Sequence, residues 1–327
     1  MKLVVGFLTY NEATLAYLPD FLESLNLALK FLPKSDYRIF AFDNSEAGYL
    51  ANQEYLKKFS QEQEFPIEFW GTNSNLGFSR AYNILLTKAE EWRADYFLII
   101  NPDVIIEPEA IKLLIQALEQ NQSLASVSPK LRRWNFATNT KTKIIDSAGL
   151  RLQAGLRFSD LGQGEVDEGQ YDHQTILGPS GAAGLFRLTA LGKIKTAGQF
   201  FDEDFFMYKE DCDLALRLAQ AGELSQLVPT ALVYHDRTAF KETVNPLAFI
   251  LNRRRRSQAV RRLSFVNQHY LFIKYWPKES IGGKIIIMLR VSMMAIYALS
   301  LERFLLKEYQ KIRQYYQARQ EKKVTVD

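Results

Sequence analysis

Short apolar runs alternate with longer amphipathic segments through the N-terminal part of the chain. The apolar runs predict buried strands at residues 3–8, 37–42, 67–70, 96–100 and 124–127. The intervening segments, which have a helical period, predict helices at residues 15–32, 49–59, 79–92 and 108–121. Because strands joined by helices of this length form right-handed crossovers, we expect an α/β fold whose mostly parallel sheet carries helices on both faces.

Polar loops follow the first four predicted strands. In parallel sheets ligands collect at the carboxyl ends of the strands, where such loops share one crevice. Turn chemistry explains part of the pattern, because Asn, Asp, Gly and Ser also favour turns and helix caps. The loops are Thr9-Tyr10-Asn11-Glu12, Asp43-Asn44-Ser45, residues 71–78 and Asn101-Pro102-Asp103. Their shared position at one sheet edge favours a binding site.

Two of these loops have the chemistry of nucleotide binding. Asp43 can accept hydrogen bonds from a base imide or a ribose hydroxyl. The loop before residue 79 presents backbone amides to anions, and Arg80 is a candidate phosphate contact. The chain has no Walker loop and no dinucleotide glycine fingerprint after its first strand, which argues against a nucleotide hydrolase and a nicotinamide enzyme.

Asp103 and His235 each end an apolar run. A carboxylate at the position of Asp103 can hold a hard divalent ion whose remaining ligands are water and a diphosphate, as magnesium prefers. A plain helix cap is the alternative for Asp103. On the residues alone, His235 equally suits a capped strand end in which it pairs with Asp236.

Three carboxylates within four positions, at residues 210–213, open a predicted amphipathic helix. Asp211 lies one turn before Leu214 on the inward face, where a carboxylate needs a partner, a metal or a role as a base. Asp213 lies four residues before Arg217 and is predicted to form a surface ion pair. Acids in a first helical turn also suit the helix dipole, which is the alternative for Asp213 and Glu210.

Composition sets the class and the compartment. With 327 residues, 47% of them hydrophobic, the chain can bury one large core with an appendage or two moderate cores. Its one cysteine, Cys212, excludes an intramolecular disulfide and disfavours a cysteine-based zinc site, so we expect a reducing compartment. The N-terminus lacks the pattern of a signal peptide, and we therefore expect the catalytic part in the cytoplasm.

We expect two domains, a catalytic α/β domain at residues 1–244 and a basic, amphipathic helical extension at residues 245–327. The formal charge of +4 is modest, but arginines concentrate at residues 253–262. Within the first domain, residues 129–174 show no clear hydrophobic period. One interpretation of this stretch is a flexible flap over an acceptor site.

The extension contains two apolar runs, residues 285–289 and 291–301. Lys284 and Arg290 interrupt or bound them, so each run falls short of a membrane-spanning helix. We interpret the extension as basic and aromatic helices that lie in a membrane interface, with arginines on anionic headgroups. A helical subdomain packed on the core and a dimer contact are the alternatives. No stacking platform accompanies the arginines, so nucleic acid is not expected as a partner.

The ordered series of motifs resembles glycosyltransferase family 2, and more narrowly its rhamnosyltransferase-like members. The match runs in the family's order from Leu3 to His235, about two thirds of the chain. It is highly specific for the family and only weakly specific for the sugar. The motifs are Thr9-Tyr10-Asn11, Asp43-Asn44-Ser45, Asn75-Leu76-Gly77-Phe78 with Asn83, Asn101-Pro102-Asp103, Ser180-Gly181-Ala182, residues 201–214 and His235.

This resemblance implies a GT-A fold and an inverting transfer from a nucleotide-activated sugar. It implies that Asp103 is the last acid of a metal motif that His235 completes, for Mg²⁺ or Mn²⁺. Asn101 stands where many relatives have a first aspartate, which puts strict metal dependence in doubt. The residues expected to bind the donor are Thr9, Tyr10, Asn11, Asp43, Asn75, Gly77, Arg80 and Asn101.

The resemblance also implies catalytic roles at the acid-rich helix. Asp211 matches the family's general base, and Glu210 is expected to position Asp211 or an acceptor hydroxyl. The leading donor by analogy is dTDP-rhamnose, which supplies L-rhamnose, a deoxyhexose. The expected acceptor is a hydroxyl of a glycan, lipid-linked through polyprenyl diphosphate, in cell-surface polysaccharide synthesis.

We expect such an enzyme to lie peripherally at the inner face of the cell membrane, and its oligomeric state is left open. A catalytically silent GT-A module that binds membrane or a partner through its tail is the alternative. A sugar nucleotidyltransferase would also suit a parallel sheet, but it needs a glycine-rich basic loop after the first strand. Thr9-Tyr10-Asn11-Glu12 is not such a loop.

Overall fold

The computed structural model describes residues 1–237, 253 and 256–324. These residues divide into two compact units, one of residues 1–151 and 160–237 and one of residues 152–159, 253 and 256–324. The domain boundary expected between residues 244 and 245 lies outside the described residues.

The first unit begins with alternating strands and helices. Along the chain the strands are β1 (Leu3–Thr9), β2 (Tyr37–Asp43), β3 (Ile67–Gly71), β4 (Tyr96–Ile100), β5 (Val104–Ile106), β6 (Leu124–Asn135), β7 (Thr140–Ser147), β8 (Leu150–Gln153), β9 (Arg157–Asp160), β10 (Ala183–Arg187) and β11 (Leu224–His235). Its helices are α1 (Asn11–Leu15), α2 (Leu18–Leu29), α3 (Ala51–Glu62), α4 (Gly77–Glu91), α5 (Ala110–Gln120), α6 (Leu188–Lys193) and α7 (Glu210–Gln220).

The main sheet has the strand order β3-β2-β1-β4-β10-β6-β11-β5, and β7 also pairs with β6. Pairing is parallel from β3 to β4 and between β6 and β11, whereas β10, β5 and β7 join antiparallel. The α/β class is confirmed, but the expectation of a mostly parallel sheet is wrong, because four of its eight described strand pairings are antiparallel. The single helix predicted at residues 15–32 is instead α1 and α2, because Pro19, without an amide proton, fits the first turn of a new helix.

Apolar side chains cover both faces of the sheet. On one face Phe21 and Leu25 of α2 pack in the same cluster as Phe7 and Leu98. On the other face Tyr82 of α4 is fully buried with its neighbours in a second cluster. Full burial of each such side chain contributes about 1.5–3 kcal/mol, so the sheet is the stable scaffold of the loops at its edge.

Residues 129–174 form strands and buried ion pairs rather than a flexible flap. Lys130 is 3% exposed, and its ammonium lies 2.9 Å from Asp167 and also contacts Asp172. Arg132 donates to Asp167 at 2.8 Å from Nε. The flap interpretation is wrong for this stretch, because buried ion pairs tie its loop to β6. These pairs join residues far apart in the chain and therefore leave no hydrophobic period in the sequence.

The second unit contains three long helices, α8 (Gln258–Tyr275), α9 (Ile281–Ser300) and α10 (Tyr309–Val324). Phe265 of α8, Ala298 of α9 and Ile312 of α10 belong to one buried cluster. Tyr270 stacks on Tyr315 with ring centroids 3.8 Å apart. The helical character expected of the extension is thus present in its described residues.

The two apolar runs that were expected to be separate belong to a single helix, α9. It is one continuous helix of 20 residues, and among the described helices it alone is long and apolar enough to cross a membrane by length and composition. Arg290 does not break it, because the guanidinium donates to the Gly155 carbonyl and stacks 5.2 Å from the Phe272 ring centroid. Ser280 caps the helix by accepting from the Gly283 amide at 3.1 Å.

The arginine-rich segment is corrected as well. Arg253 and Arg261 donate to the buried carboxylate of Glu302 at 3.1 and 2.8 Å. Arg262 lies 3.5 Å from the buried carboxylate of Glu308. Arg253 and Arg261 therefore close ion pairs with a buried carboxylate instead of forming an open cationic surface. Residues 254 and 255 of the arginine-rich segment lie outside the described residues.

The start of α4 is fastened to the segment before α7. The Phe78 amide donates to the Phe206 carbonyl at 2.7 Å, and the Ser79 hydroxyl donates to the Phe205 carbonyl. Gly77 has a φ of +78°, and a Cβ at this position would lie 2.4 Å from the Phe206 oxygen. Only glycine satisfies both the left-handed backbone and this close approach.

We expect Gly77→Ala to destabilise the protein more than Gly198→Ala. Both glycines have left-handed backbone, which costs about 1–2 kcal/mol for alanine, but a Cβ at Gly198 meets nothing within 4 Å. Urea denaturation of both variants measures the difference in the free energy of unfolding. Equal losses would show that the contact with Phe206 does not matter.

Candidate active site

The loops after β1 and β2 meet at the carboxyl end of the sheet, where Thr9 lies opposite Asp43. The Thr9 hydroxyl donates to Oδ1 of Asp43 at 2.9 Å, and Ser45 donates to the same oxygen at 2.6 Å. Gln53 donates to Oδ2 at 3.0 Å, so both oxygens of the buried Asp43 are engaged. The Asn11 amide donates to Ser45 at 2.8 Å. The structure therefore brings Thr9, Asn11 and Asp43 together.

The loop after β3 joins the same edge through Asn44. Oδ1 of Asn44 accepts from the Leu76 amide at 3.1 Å, and Nδ2 donates to the Gly77 carbonyl at 3.2 Å. Oδ1 of Asn75 accepts from the Gly77 amide at 2.9 Å. Asn75 and Gly77 thus lie beside the first two loops and are held there by side-chain amides.

Tyr10 and Arg80 are the more exposed of the predicted donor-binding residues. Tyr10 is 36% exposed, and the Arg80 side chain is 61% exposed. Nε of Arg80 lies 3.9 Å from Glu203, whose other oxygen accepts from Asn83 at 3.0 Å. Because an exposed ion pair of this kind contributes about 0–1 kcal/mol, Arg80 can leave Glu203 and meet an anion at little cost.

Antiparallel pairing of β5 with β11 brings Asp103 and His235 together, because His235 pairs with Val104. The Asp236 amide donates to the Asp103 carbonyl at 2.9 Å and extends this pairing by one residue. Nε2 of His235 lies 3.3 Å from Oδ2 of Asp103. Oδ1 of Asp103 is buried without a hydrogen-bond partner in the described part of the chain. The two predicted metal ligands are therefore neighbours, with one carboxylate oxygen still unpaired.

This donor set fits a divalent cation that is only partly held by protein. In residues 1–237, 253 and 256–324, no group of three or more His, Cys, Asp and Glu side chains could hold a metal ion. Asp103 and His235 would supply one oxygen and one nitrogen, and the unpaired Oδ1 of Asp103 suits that role. Mg²⁺ commonly takes one or two carboxylates and fills its other positions with water and substrate phosphates.

Asp146 of β7 lies on the other side of the His235 ring. Its Oδ2 is 2.8 Å from Nδ1 of His235. Arg237 lies 3.4 Å from the Asp146 carboxylate and donates to Asp160 at 2.8 Å. Burial lowers the pKa of His235, but the carboxylates of Asp103 and Asp146 outweigh burial and raise this pKa to about 10.

Asp146 was not among the site residues predicted from the sequence, because it lies in the stretch without clear periodicity. It is 0% exposed and follows two isoleucines, Ile144 and Ile145. An acid inside an apolar run is the signal that could have identified it.

Asp211 lies in the first turn of α7, after two residues with left-handed backbone. Tyr208 and Lys209 have φ values of +73° and +72°. Such conformations cost about 1–3 kcal/mol each in non-glycine residues and cluster at functional sites. Oδ2 of Asp211 accepts from the Gly181 amide at 3.0 Å, and Oδ1 accepts from the Cys212 amide at 2.7 Å. These two amides fix the orientation of the carboxylate.

The dipeptide Gly181-Ala182 joins Asp211 to the loop that carries Asp103. Gly181 donates to Asp211, and the neighbouring Ala182 carbonyl accepts from the Asn101 amide at 2.9 Å. The candidate base and the candidate metal ligands therefore lie at one edge of the sheet. Asn101, the predicted donor-binding residue, is held there by its backbone.

The ion pair of Asp213 lies in the interior, and not on the surface as had been expected. It pairs with Arg217 as predicted, with Nε of Arg217 donating to Oδ2 at 2.8 Å, but Asp213 is 0% exposed. The same guanidinium donates to the Ile194 carbonyl at 2.9 Å and to the Phe200 carbonyl. Asp213 is thus a buried anchor for Arg217, which ties α7 to the segment before it.

Glu210 is buried beside Asp211. Its side chain is 5% exposed, and Oε2 has no hydrogen-bond partner in the described residues. Burial, and then the charge of Asp211, raise the pKa of Glu210 well above its ordinary value of 4.5. Glu210 therefore has the environment of a neutral carboxylic acid.

Residues 5–194 match the sequence model of the family described as glycosyl transferase family 2. This match covers more than half of the chain, so the chain belongs to glycosyl transferase family 2. By fold and family it is a glycosyltransferase of the GT-A class, as the sequence motifs predict.

Two curated relatives are rhamnosyltransferases by name. The N-acetylglucosaminyl-diphospho-decaprenol L-rhamnosyltransferase of Mycobacterium tuberculosis is 27% identical over 190 residues, which are 54% of this chain and 61% of that protein. Rhamnosyltransferase WbbL of Escherichia coli is 23% identical over 232 residues, 68% of this chain and 81% of that protein. The chain thus spans less than two thirds of the length of the mycobacterial relative.

A solved structure supports the fold. The mannosyltransferase PcManGT from Pyrobaculum calidifontis, in complex with GDP-Man and Mn²⁺, is similar with a TM-score of 0.52 at 14% identity. The similarity covers 97% of this chain and 75% of that chain. At this identity it is evidence for the GT-A fold alone.

We expect Glu210→Gln to stabilise the protein increasingly as pH rises above about 4.5. Because the pKa of Glu210 is raised in the folded state, the native protein keeps a proton that the unfolded chain releases. The wild type therefore loses stability between the unfolded and folded pKa values, whereas glutamine is neutral throughout. Urea denaturation at about pH 5 and about pH 8 measures this difference. A difference that does not change with pH would contradict the burial of a neutral Glu210.

Proposed function

We propose that the protein is an inverting glycosyltransferase that transfers L-rhamnose from dTDP-rhamnose to a hydroxyl of a lipid-linked glycan. One observation carries this proposal: the Gly181 amide donates to Asp211, and the neighbouring Ala182 carbonyl accepts from the Asn101 amide. These two hydrogen bonds hold Asp211 at the same edge of the sheet as Asp103 and His235. The names of the two rhamnosyltransferase relatives support the sugar and, for the mycobacterial one, an N-acetylglucosaminyl-diphospho-decaprenol acceptor. A role in cell-surface polysaccharide synthesis is part of the same proposal.

Asp211 is the proposed general base. In an inverting transfer, the acceptor hydroxyl attacks the anomeric carbon from the face opposite the leaving nucleoside diphosphate, and a base beside that hydroxyl takes its proton. The Gly181 and Cys212 amides each occupy one carboxylate oxygen of Asp211. An ionised carboxylate has about four acceptor positions, so Asp211 keeps capacity for the hydroxyl while its orientation is fixed.

Asp103, His235 and Arg80 are proposed to meet the leaving diphosphate. A divalent cation held by Asp103 and His235 would neutralise the charge that develops on the diphosphate. Arg80, whose exposed guanidinium is only loosely paired with Glu203, adds a positive charge from the first turn of α4. Neutral Asn101 leaves this site with one carboxylate fewer than an acid at that position would supply.

The nucleoside part of the donor is proposed to bind at the loops after β1, β2 and β3. Asp43 is held by Thr9, Ser45 and Gln53, so its carboxylate is fixed before a ligand arrives. A preorganised acceptor of this kind saves the ordering cost of binding. Tyr10 is exposed next to it and offers a ring to the base.

A donor screen with the purified protein tests the proposed function. We expect sugar transfer to a polyprenyl-diphosphate-linked N-acetylglucosamine acceptor from dTDP-rhamnose in preference to other nucleotide sugars, and faster with Mg²⁺ or Mn²⁺ than with a chelator. Absence of transfer from every donor, with and without metal, would favour a catalytically silent GT-A module.

In the same assay we expect Asp211→Asn to lower kcat by about 10²–10⁴-fold, because proton transfer to a positioned base contributes that much. Asp213→Asn is the matched control on the same helix. It breaks the buried pair with Arg217 and lowers stability, but the folded variant keeps its transfer rate. Full transfer by Asp211→Asn would show that another group is the base.

We infer membrane contact through the outward face of α9. Seven residues of this face are apolar and 48–80% exposed, namely Ile281, Ile285, Met288, Leu289, Met293, Ile296 and Leu299. Apart from the neighbours Met288 and Leu289, they are spaced three or four residues apart, which places them along one side of the helix. A contiguous exposed apolar face of this length is unusual on a soluble surface and fits the acyl region of a membrane.

The second unit also has a cavity of about 750 Å³ that meets this face at Met288. Phe272 of α8, Trp276 directly after α8, and Ile287 and Val291 of α9 are among its lining residues. A cavity of this size and lining can accept a hydrocarbon chain. The cavity therefore supports the proposed contact with lipid. We propose on the same ground that the protein lies peripherally at the inner face of the cell membrane.

We expect the triple variant Ile285→Ser, Leu289→Ser, Ile296→Ser to lose most of its binding to phospholipid vesicles in a sedimentation assay. Because Arg253 and Arg261 are paired with Glu302, binding of the wild type should depend little on salt. The matched control replaces three exposed leucines of the first unit by serine, at Leu27, Leu50 and Leu224. Equal binding of both triple variants would contradict a role for α9.

A further inference from the structure

We infer that Asp146 is a positioning residue that orients His235 toward the divalent cation of the proposed transfer reaction. The inference rests on the proposed metal role of Asp103 and His235. Oδ2 of Asp146 lies 2.8 Å from Nδ1 of His235, while Nε2 of the same ring lies 3.3 Å from Asp103. The ring is thus held between two carboxylates, one on each nitrogen.

The contact with Asp146 decides which nitrogen can bind metal. A carboxylate only accepts, so Nδ1 must carry the hydrogen of this bond. When a cation displaces the second proton of the ring, that proton leaves from Nε2, which then presents its lone pair beside Asp103. Without Asp146 both tautomers and other ring orientations become available, and only part of them present Nε2 to a cation.

Asp146 is itself held in place. Arg237 lies 3.4 Å from both of its oxygens and is anchored by Asp160 at 2.8 Å. The Asp146 side chain is 1% exposed, so solvent does not compete for its oxygens. Asp160, Arg237, Asp146 and His235 form a continuous series of charged groups that ends at Asp103, and Asp146 and His235 are its buried members. Such partners behind a metal-binding histidine typically change metal affinity 10–100-fold.

A purely structural role is the competing explanation, since Asp146 closes a buried ion pair. Asp167 offers a matched control in the same stretch of chain. Its side chain is 2% exposed and pairs with Lys130 at 2.9 Å and with Arg132 at 2.8 Å. Among the described residues, Asp167 forms no hydrogen bond or ion pair with His235 or Asp103. Loss of Asp167 therefore damages the fold in a comparable way without touching the proposed metal ligands.

The test is Mn²⁺ titration of the full chain followed by electron paramagnetic resonance, with the metal alone and with dTDP, UDP or GDP present. The wild type is expected to bind Mn²⁺, and Asp146→Ala to bind it about 10–100-fold more weakly. Asp146→Asn should lose less affinity than Asp146→Ala, because the amide oxygen still accepts from Nδ1. Asp167→Asn should melt at a lower temperature yet keep the Mn²⁺ affinity of the wild type.

The outcomes separate this inference from the proposed function. If the wild type binds Mn²⁺ and Asp146→Ala binds it equally well, the positioning role is overturned and the metal site stands. If Asp167→Asn weakens binding as much as Asp146→Ala, the effect comes from damage to the fold, which also overturns it. If the wild type binds no Mn²⁺ under any of these conditions, the proposed metal role fails and the inference falls with it.

Discussion

A buried carboxylate is stable only when other groups meet its charge, and the candidate site is organised by that requirement. Asp43, Asp146 and Asp213 are almost completely buried, and hydroxyl, amide, imidazole or guanidinium groups engage each of them. Asp103 has a buried oxygen that meets no partner among the residues the structure describes, and Asp211 is held by two backbone amides. The acids proposed to act are therefore those whose partners leave acceptor positions open.

Much of the first unit could be predicted because its determinants are local. The strands at residues 37–42 and 96–100 have an apolar period that a short window detects, and β2 and β4 differ from them by at most one residue. The loops after these strands were predicted at one sheet edge because parallel connections place them there. The bonds of Thr9 and Ser45 to Asp43 agree with that placement.

The parts that could not be predicted depend on partners distant in sequence. Asp146 meets His235 across 89 positions, and Lys130 meets Asp167 across 37. Neither pair leaves a periodic pattern. Arg253 and Arg261 were predicted to be part of an open cationic surface because their partner, Glu302, lies tens of residues downstream.

Helix α9 shows a different limit of a sequence window. A charged residue in an apolar run normally ends a candidate membrane helix, and Arg290 was read in that way. In the structure its guanidinium reaches the Gly155 carbonyl and the Phe272 ring, so the charge is met inside the unit. The outward face of the helix stays uncharged over its whole length.

The separation of the metal ligands along the chain also has a consequence for folding. Asp103 lies on the approach to a three-residue strand, β5, whose partner in the sheet is β11, more than a hundred residues later. Closing so large a loop costs conformational entropy that only the completed sheet repays, so contacts of this kind form late and slowly. A chain that ends before His235 therefore lacks both the strand that pairs with β5 and one of the two proposed metal ligands, even where its first parallel strands are complete.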